Sequence, residues 1–157
     1  MMFEVKDSSR TLQFNGKQLS KSSSWRKGSV RWIEFALYKT ENGSYVLSRI
    51  GVSLIYHGAT CEKVDRYNLV DEFTENLEDD AIPCEECSPN RSLPIIFPEK
   101  YRYWAQVSDN PQPVLDALYK YNENGARYLT YVAQKLLDIA AKNDENIDLI
   151  YRVETIP

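Results

Sequence analysis

Apolar residues recur along this chain with two different periods. The spacing is two in the first third and three to four in the last. The clearest alternation lies in SVRWIEFALYKTENGSYVLSRIGVSLIYHG, where two β-rich runs flank Asn42-Gly43. Both residues of an Asn-Gly pair accept positive φ, so the pair suits a two-residue type I′ turn. Such a turn pairs Glu41 with Ser44 and sets Phe35 opposite Ile50, Ile33 opposite Val52 and Leu37 opposite Ser48. These residues and Leu54 then form the predicted core face. Trp32, Glu34, Ala36 and Tyr38 point the other way with Tyr45, Leu47 and Arg49, a mixed face that a helix or a partner must cover. Upstream, MMFEVKD and RTLQFNG alternate weakly, as two short strands joined around Asp7 to Ser9. The following NGKQLSKSSSWRKGS is rich in Ser, Lys and Gly and reads as a loop. YRYWAQV reads as the last strand of the sheet.

The helical period appears after residue 109. Asp109 or Asn110 suits a cap, Pro111 or Pro113 suits a first turn, and Val114, Leu115, Leu118 and Tyr119 form a stripe. NENG breaks this helix. A second is predicted from about Ala126 to Ala141, with Leu129, Val132, Ala133, Leu136, Leu137 and Ala140 on its buried side. IDLIYRVETIP closes the chain as a strand or a short helix. Between sheet and helices, CEKVDRYNLVDEFTENLEDD allows a short amphipathic helix. Pro83, Pro89, Pro94 and Pro98 then deny the next stretch regular structure. The expected fold is α+β: an antiparallel sheet built on a central Asn-Gly hairpin, residues 30–56, with a C-terminal two-helix hairpin packed on it. A length of 157 residues implies one domain, with an irregular acidic and Pro-rich insertion at about 57–98 and a helical part at about 111–142.

Composition changes this picture little: 43% hydrophobic and 27% charged residues are ordinary for a globular chain. Charge distribution changes it more. Residues 1–56 hold nine Lys/Arg against four Asp/Glu, whereas residues 57–90 hold two against ten. The net charge of −4 thus conceals a basic first third and an acidic middle. No apolar run is long enough to span a bilayer, and the first ten residues lack the apolar stretch of a secretory signal. An odd count of 3 Cys makes no disulfide framework. The expected location is the cytoplasm, with reduced thiols.

Four residues suggest chemistry. His57, Cys61, Cys84 and Cys87 lie close in sequence, as H-x-x-x-C followed by C-x-x-C. Two sulfurs at C-x-x-C spacing bind one ion from a single turn, and the four together make a tetrahedral Cys₃His set for one structural zinc, the only cofactor suggested. Against this, a second C-x-x-C is missing, and Glu85 and Glu86 add negative charge between two thiolates. Small buried thiols are the favoured alternative. A redox pair is the third reading, disfavoured because Pro83 and Pro89 exclude the strand-to-helix context it needs.

Two charged stretches complete the candidates. From Arg10 to Arg31 the chain carries basic residues and no acid, with Trp25 and Trp32 interleaved. Lys21, Trp25, Arg26, Lys27 and Arg31 are therefore candidates for contact with nucleic acid or phosphate, cations for phosphates and Trp for an unpaired base. A solvated loop is favoured over that, because the protein as a whole is acidic. Asp71, Glu72, Glu75, Glu78, Asp79 and Asp80 form an acidic strip that suits docking on a basic surface, or simply a solvated face. A lone His and the absence of any nucleophile elbow, P-loop or dinucleotide fingerprint leave little support for an enzyme. Glu34, Asp65 and Arg66 are isolated charges.

The expectation is a small non-catalytic binding or regulatory protein that docks on another protein or nucleoprotein complex, of accessory or mobile-element type. A zinc-stabilised nucleic-acid-binding module is the alternative, and an enzyme with an unrecognised site is the third reading. No membrane partner is expected.

Overall fold

Outside glycine, Ser8 is the one residue with positive φ, 52°, among the described residues. It turns the chain between β1 (Met2–Asp7) and β2 (Arg10–Ser23), paired antiparallel from Met2 opposite Asn15 to Asp7 opposite Arg10. The weak alternation of the N-terminus therefore does mark two strands. The second is longer than expected: β2 continues to Ser23, through the segment read as a loop. Its partner there is β3 (Arg31–Thr40), from Gly16 opposite Thr40 to Ser23 opposite Glu34. Polar composition concealed a strand in which Ser20 and Ser22 are buried, and Ser22 Oγ donates to the Val132 carbonyl at 2.9 Å. The register slips between Gln18 and Ser20, so Leu19 is the extra residue of a bulge. Leu19 and Ser20 are both buried.

The computed structural model describes residues 1–58, 82–83, 95–96, 101–153 and 156–157. After β4 (Tyr45–Ser53) come three short strands: β5 (Ile55–Gly58), β6 (Ile82–Pro83) and β7 (Ile95–Ile96). They form their own sheet in the order β6-β5-β7, with β6 parallel and β7 antiparallel to β5. Pro83 thus sits on an edge strand, where a missing N–H is tolerated. The main sheet is five-stranded, in the order β1-β2-β3-β4-β8, closed by β8 (Tyr101–Ser108). The fold is α+β with an antiparallel sheet. The chain divides into two compact units, one made of Met1–Ser24, Ile33–Ile50 and Tyr103–Pro157, the other of Trp25–Trp32 and Gly51–Arg102.

In the first unit the sheet curls until its two edges meet. Ser8 N–H donates to the Tyr103 carbonyl at 2.9 Å, and Ala105 N–H donates to Asp7 Oδ1 at 3.2 Å. Curling encloses one apolar cluster of Val5, Val46 and Ala105, with Leu12, Phe14 and Tyr38 against it. The rings of Phe14 and Tyr38 from this cluster and of Phe3 lie 4.9–5.8 Å apart, near the spacing at which aromatic pairs attract. Burial raises the Tyr38 phenol above its ordinary pKa.

The outer face carries the larger core, where Leu37, Tyr45 and Leu47 meet the helices. Among the described residues three helices follow the sheet rather than two. α1 (Gln112–Leu118) is short and buries Val114, Leu115 and Leu118, with Asn110 Oδ1 accepting from Gln112 N–H at 3.1 Å. Two paired two-residue strands follow, β9 (Lys120–Tyr121) and β10 (Arg127–Tyr128). α2 (Tyr131–Asn143) begins later than expected, capped by Thr130, whose hydroxyl accepts from Ala133 N–H at 3.3 Å. Leu136 and Leu137 are fully buried on its stripe, whereas Leu129 precedes the helix and is half-buried. α3 (Glu145–Arg152) takes up the segment left open between strand and helix, capped by Asp144.

The turn between β3 and β4 corrects the expected core face. Gly43 has φ 87°, but Asn42 is not among the positive-φ residues, so a type I′ turn is excluded. Gly43 N–H donates to the Thr40 carbonyl at 2.9 Å, and Thr40 N–H donates to the Ser44 carbonyl at 2.8 Å. The loop is therefore three residues, Glu41 to Gly43, a type I turn with a glycine bulge. Counting back from Thr40 and Ser44 places Leu37 opposite Leu47 and Tyr38 opposite Val46. Both cores agree, since Leu37 clusters with Leu47 and Tyr38 with Val46. The expected register, with Phe35 opposite Ile50, is displaced by one residue, and every β4 side chain is thereby exchanged between faces.

Candidate functional site

The corrected register sets Arg49 on the same face as Leu47 and Phe35, and this is where a groove opens. Its floor is Ile33, Phe35, Leu47, Leu118 and Val132. Trp104 of β8, 40% exposed, forms one wall, and Arg49, Lys120 and Thr130 stand at the rim with Ser24 and Ala117. The volume is about 470 Å³, within the range of sites that take a single ligand or an anchoring side chain. All the lining residues belong to the first unit.

Each wall follows from local sequence. Alternation places Trp104 on the opposite side of β8 from Ala105, which is buried in the inner cluster. Lys120 is set by the β9–β10 pairing, in which Tyr128 lies opposite Lys120 and Arg127 opposite Tyr121. Tyr128, 45% exposed, therefore shares the Lys120 face, while Arg127 stacks on the Tyr119 ring at 4.3 Å. Neither Arg49 nor Lys120 forms an ion pair with a described residue. Among the described residues no Asp or Glu lines the groove, and the first turn of α2 beside it carries no acid. The groove thus combines an apolar floor, a flat aromatic wall and two unneutralised cations.

Among the described residues another set of ionisable groups, around Asp144, is already saturated. Asp144 Oδ1 accepts from Lys39 Nζ at 2.7 Å, and Oδ2 accepts from the Tyr45 hydroxyl at 2.7 Å and from Ile147 N–H at 3.2 Å. Asn146 Nδ2 donates to the Tyr45 oxygen at 3.4 Å. Burial pushes the Asp144 carboxyl up. The bonds from Lys39, Tyr45 and Ile147 outweigh it and hold the group below its ordinary value. The same bond to Asp144 raises Lys39. With its lone pairs occupied, this carboxylate ties α3 to the β3–β4 pair and is not poised for proton transfer to a ligand.

Of the residues singled out from sequence, some belong to each unit and others lie outside the described residues. Lys21 is exposed on β2 of the first unit. Trp25, Arg26, Lys27 and Arg31 are exposed in the second, around a turn in which Ser29 N–H donates to the Arg26 carbonyl at 2.8 Å. His57 lies in β5 with its backbone opposite Ile96. Cys61, Cys84 and Cys87 lie outside the described residues, as do Asp71, Glu72, Glu75, Glu78, Asp79 and Asp80, and Asp65 and Arg66. Among the described residues no three metal-ligating side chains converge. No helix there is long and apolar enough to cross a membrane. The groove was missed because Trp104, Arg49 and Lys120 come from three separated segments. A reading of ENG as a three-residue loop would have put Arg49 beside Phe35.

No protein family, curated protein or solved structure matches this chain.

Proposed function

We propose that this protein is a non-catalytic cytoplasmic binding protein that docks on another protein, free or within a nucleoprotein complex, through the groove between its sheet and α1. One observation carries the reading: an apolar floor, an aromatic wall and unpaired cations line a single groove. Tyr and Trp bring large contact area with few rotors, and interfaces are enriched in both and in Arg. Tyr128, 45% exposed, adds a further aromatic ring on the Lys120 face. A zinc-stabilised nucleic-acid module is the second reading, favoured by the exposure of Trp25, Arg26 and Lys27 at one tight turn.

Photo-crosslinking separates them. A photoreactive phenylalanine at Tyr128 is expected to trap a discrete protein in cells. The adduct should disappear with Trp104→Ala and be absent when the probe is at Glu41, in the β3–β4 loop. Adducts to nucleic acid, from Tyr128 or from Trp25, favour the second reading. Equal labelling from Tyr128 and Glu41 defeats the first.

A further inference from the structure

We infer that the groove receives an acidic segment of the partner protein, in which a bulky apolar side chain enters beside Trp104 and a neighbouring carboxylate meets Arg49 and Lys120; this rests on the docking reading. Charge complementarity is the ground. Arg49 and Lys120 stand at the rim of one groove, neither engages a described carboxylate, and none lines the groove. A guanidinium binds a carboxylate through two parallel N–H donors, and a rim charge of this kind selects partners more than it adds raw affinity. The floor is unsuited to a charge. Leu47, Leu118 and Val132 are buried and offer only carbon, so what enters must be apolar.

The length of the occupant follows from the layout. The groove of about 470 Å³ takes one anchoring side chain, and exposed Tyr128 on the Lys120 face offers contact outside it that a short stretch of chain can use. Nucleic acid is the weaker match. A phosphate chain is held by many cations acting together. Here there are two, on a protein whose net charge is −4.

The test uses the full chain and a displayed library of random peptides, followed by fluorescence anisotropy on the selected ones. Selected peptides are expected to carry Asp or Glu within a few residues of Trp, Phe or Leu, and their affinity should fall with added salt. Trp104→Ala should weaken them about thirtyfold, as a central aromatic anchor does. Arg49→Glu and Lys120→Glu should each weaken them about tenfold. The double charge reversal should instead accept peptides whose acids are replaced by Lys, a gain no folding defect imitates. Neutral or basic peptides that depend on Trp104 and ignore Arg49→Glu overturn the acidic segment and leave protein docking standing. Failure to select any Trp104-dependent peptide, with an oligothymidine probe binding in its place, overturns both.

Discussion

At the scale of residues, Asp144 is the most heavily used side chain in the described protein. It caps α3 through Ile147 N–H, holds the Lys39 ammonium and accepts the Tyr45 hydroxyl. Its side chain is 5% exposed and that of Lys39 22%, so this is a partly sheltered ion pair. By comparison, Arg152–Asp148 at 3.1 Å is about half exposed on both sides and contributes little. Asp144→Asn keeps a capping oxygen but removes the charge. The expected cost at neutral pH is about 2–3 kcal/mol, below a fully buried pair because Lys39 can turn to water. The sign with pH is fixed by the two shifts. A carboxyl held low in the folded state stabilises fully above its ordinary value of 3.8, and that share is lost as pH falls through the lower folded value. An ammonium held high stabilises below its ordinary 10.5, and that share is lost as pH rises through the higher folded value. Urea unfolding of both proteins from pH 7 down to about pH 2 should show their difference shrinking in acid. A difference independent of pH would make Asp144 merely a cap.

At the scale of elements, one short motif recurs. TENGS at 40–44 and NENGA at 122–126 form the same loop. In each, the glycine N–H donates to the carbonyl three residues back, Thr40 or Asn122, and the closing N–H donates to that residue's side chain at 3.0 or 2.9 Å. Both glycines are left-handed, at 87° and 79°, with nothing within 4 Å of an added Cβ. Gly43→Ala and Gly125→Ala should therefore each cost about 1–2 kcal/mol, from backbone strain alone. Gly16→Ala should cost more, because a Cβ there collides with the Lys39 carbonyl and must open the β2–β3 pairing. Thermal denaturation of the three variants gives that order or contradicts it. The two ENG triplets also show how far sequence reached. Asn42-Gly43 correctly announced a turn, but not its length. The first residue settles that, since Thr40 and Asn122 each reach the N–H four residues ahead and close a three-residue loop. Asn124-Gly125 was read only as a helix breaker, so β9 and β10 were missed and α2 was started five residues early.

At the scale of the whole molecule, the first unit holds two apolar cores on the two sides of one sheet. Periodicity made the strands and the α2 stripe legible, because alternation and 3.6-residue spacing are properties of single segments. It could not say which side of β4 faces which core, because that depends on a single residue in a loop. It could not assemble the groove either, whose walls are remote in sequence. β2 failed for another reason: Ser22 is buried because its hydroxyl finds a tertiary partner in the Val132 carbonyl, and nothing local announces that. The two cores share the sheet but no buried residue, so damage to one should add to damage to the other while both unfold together. Leu136→Ala, at the centre of the helix side, should cost about 2–5 kcal/mol. Val5→Ala, inside the curl, removes fewer atoms and should cost about 1–3 kcal/mol. The double variant should match their sum within about 0.5 kcal/mol, because the two sites belong to separate apolar clusters. Urea transitions followed by far-UV and near-UV circular dichroism should coincide for all three proteins. A double variant whose loss falls well short of the sum, or whose two signals separate, would mean that the curl and the helical layer do not fold as one cooperative unit.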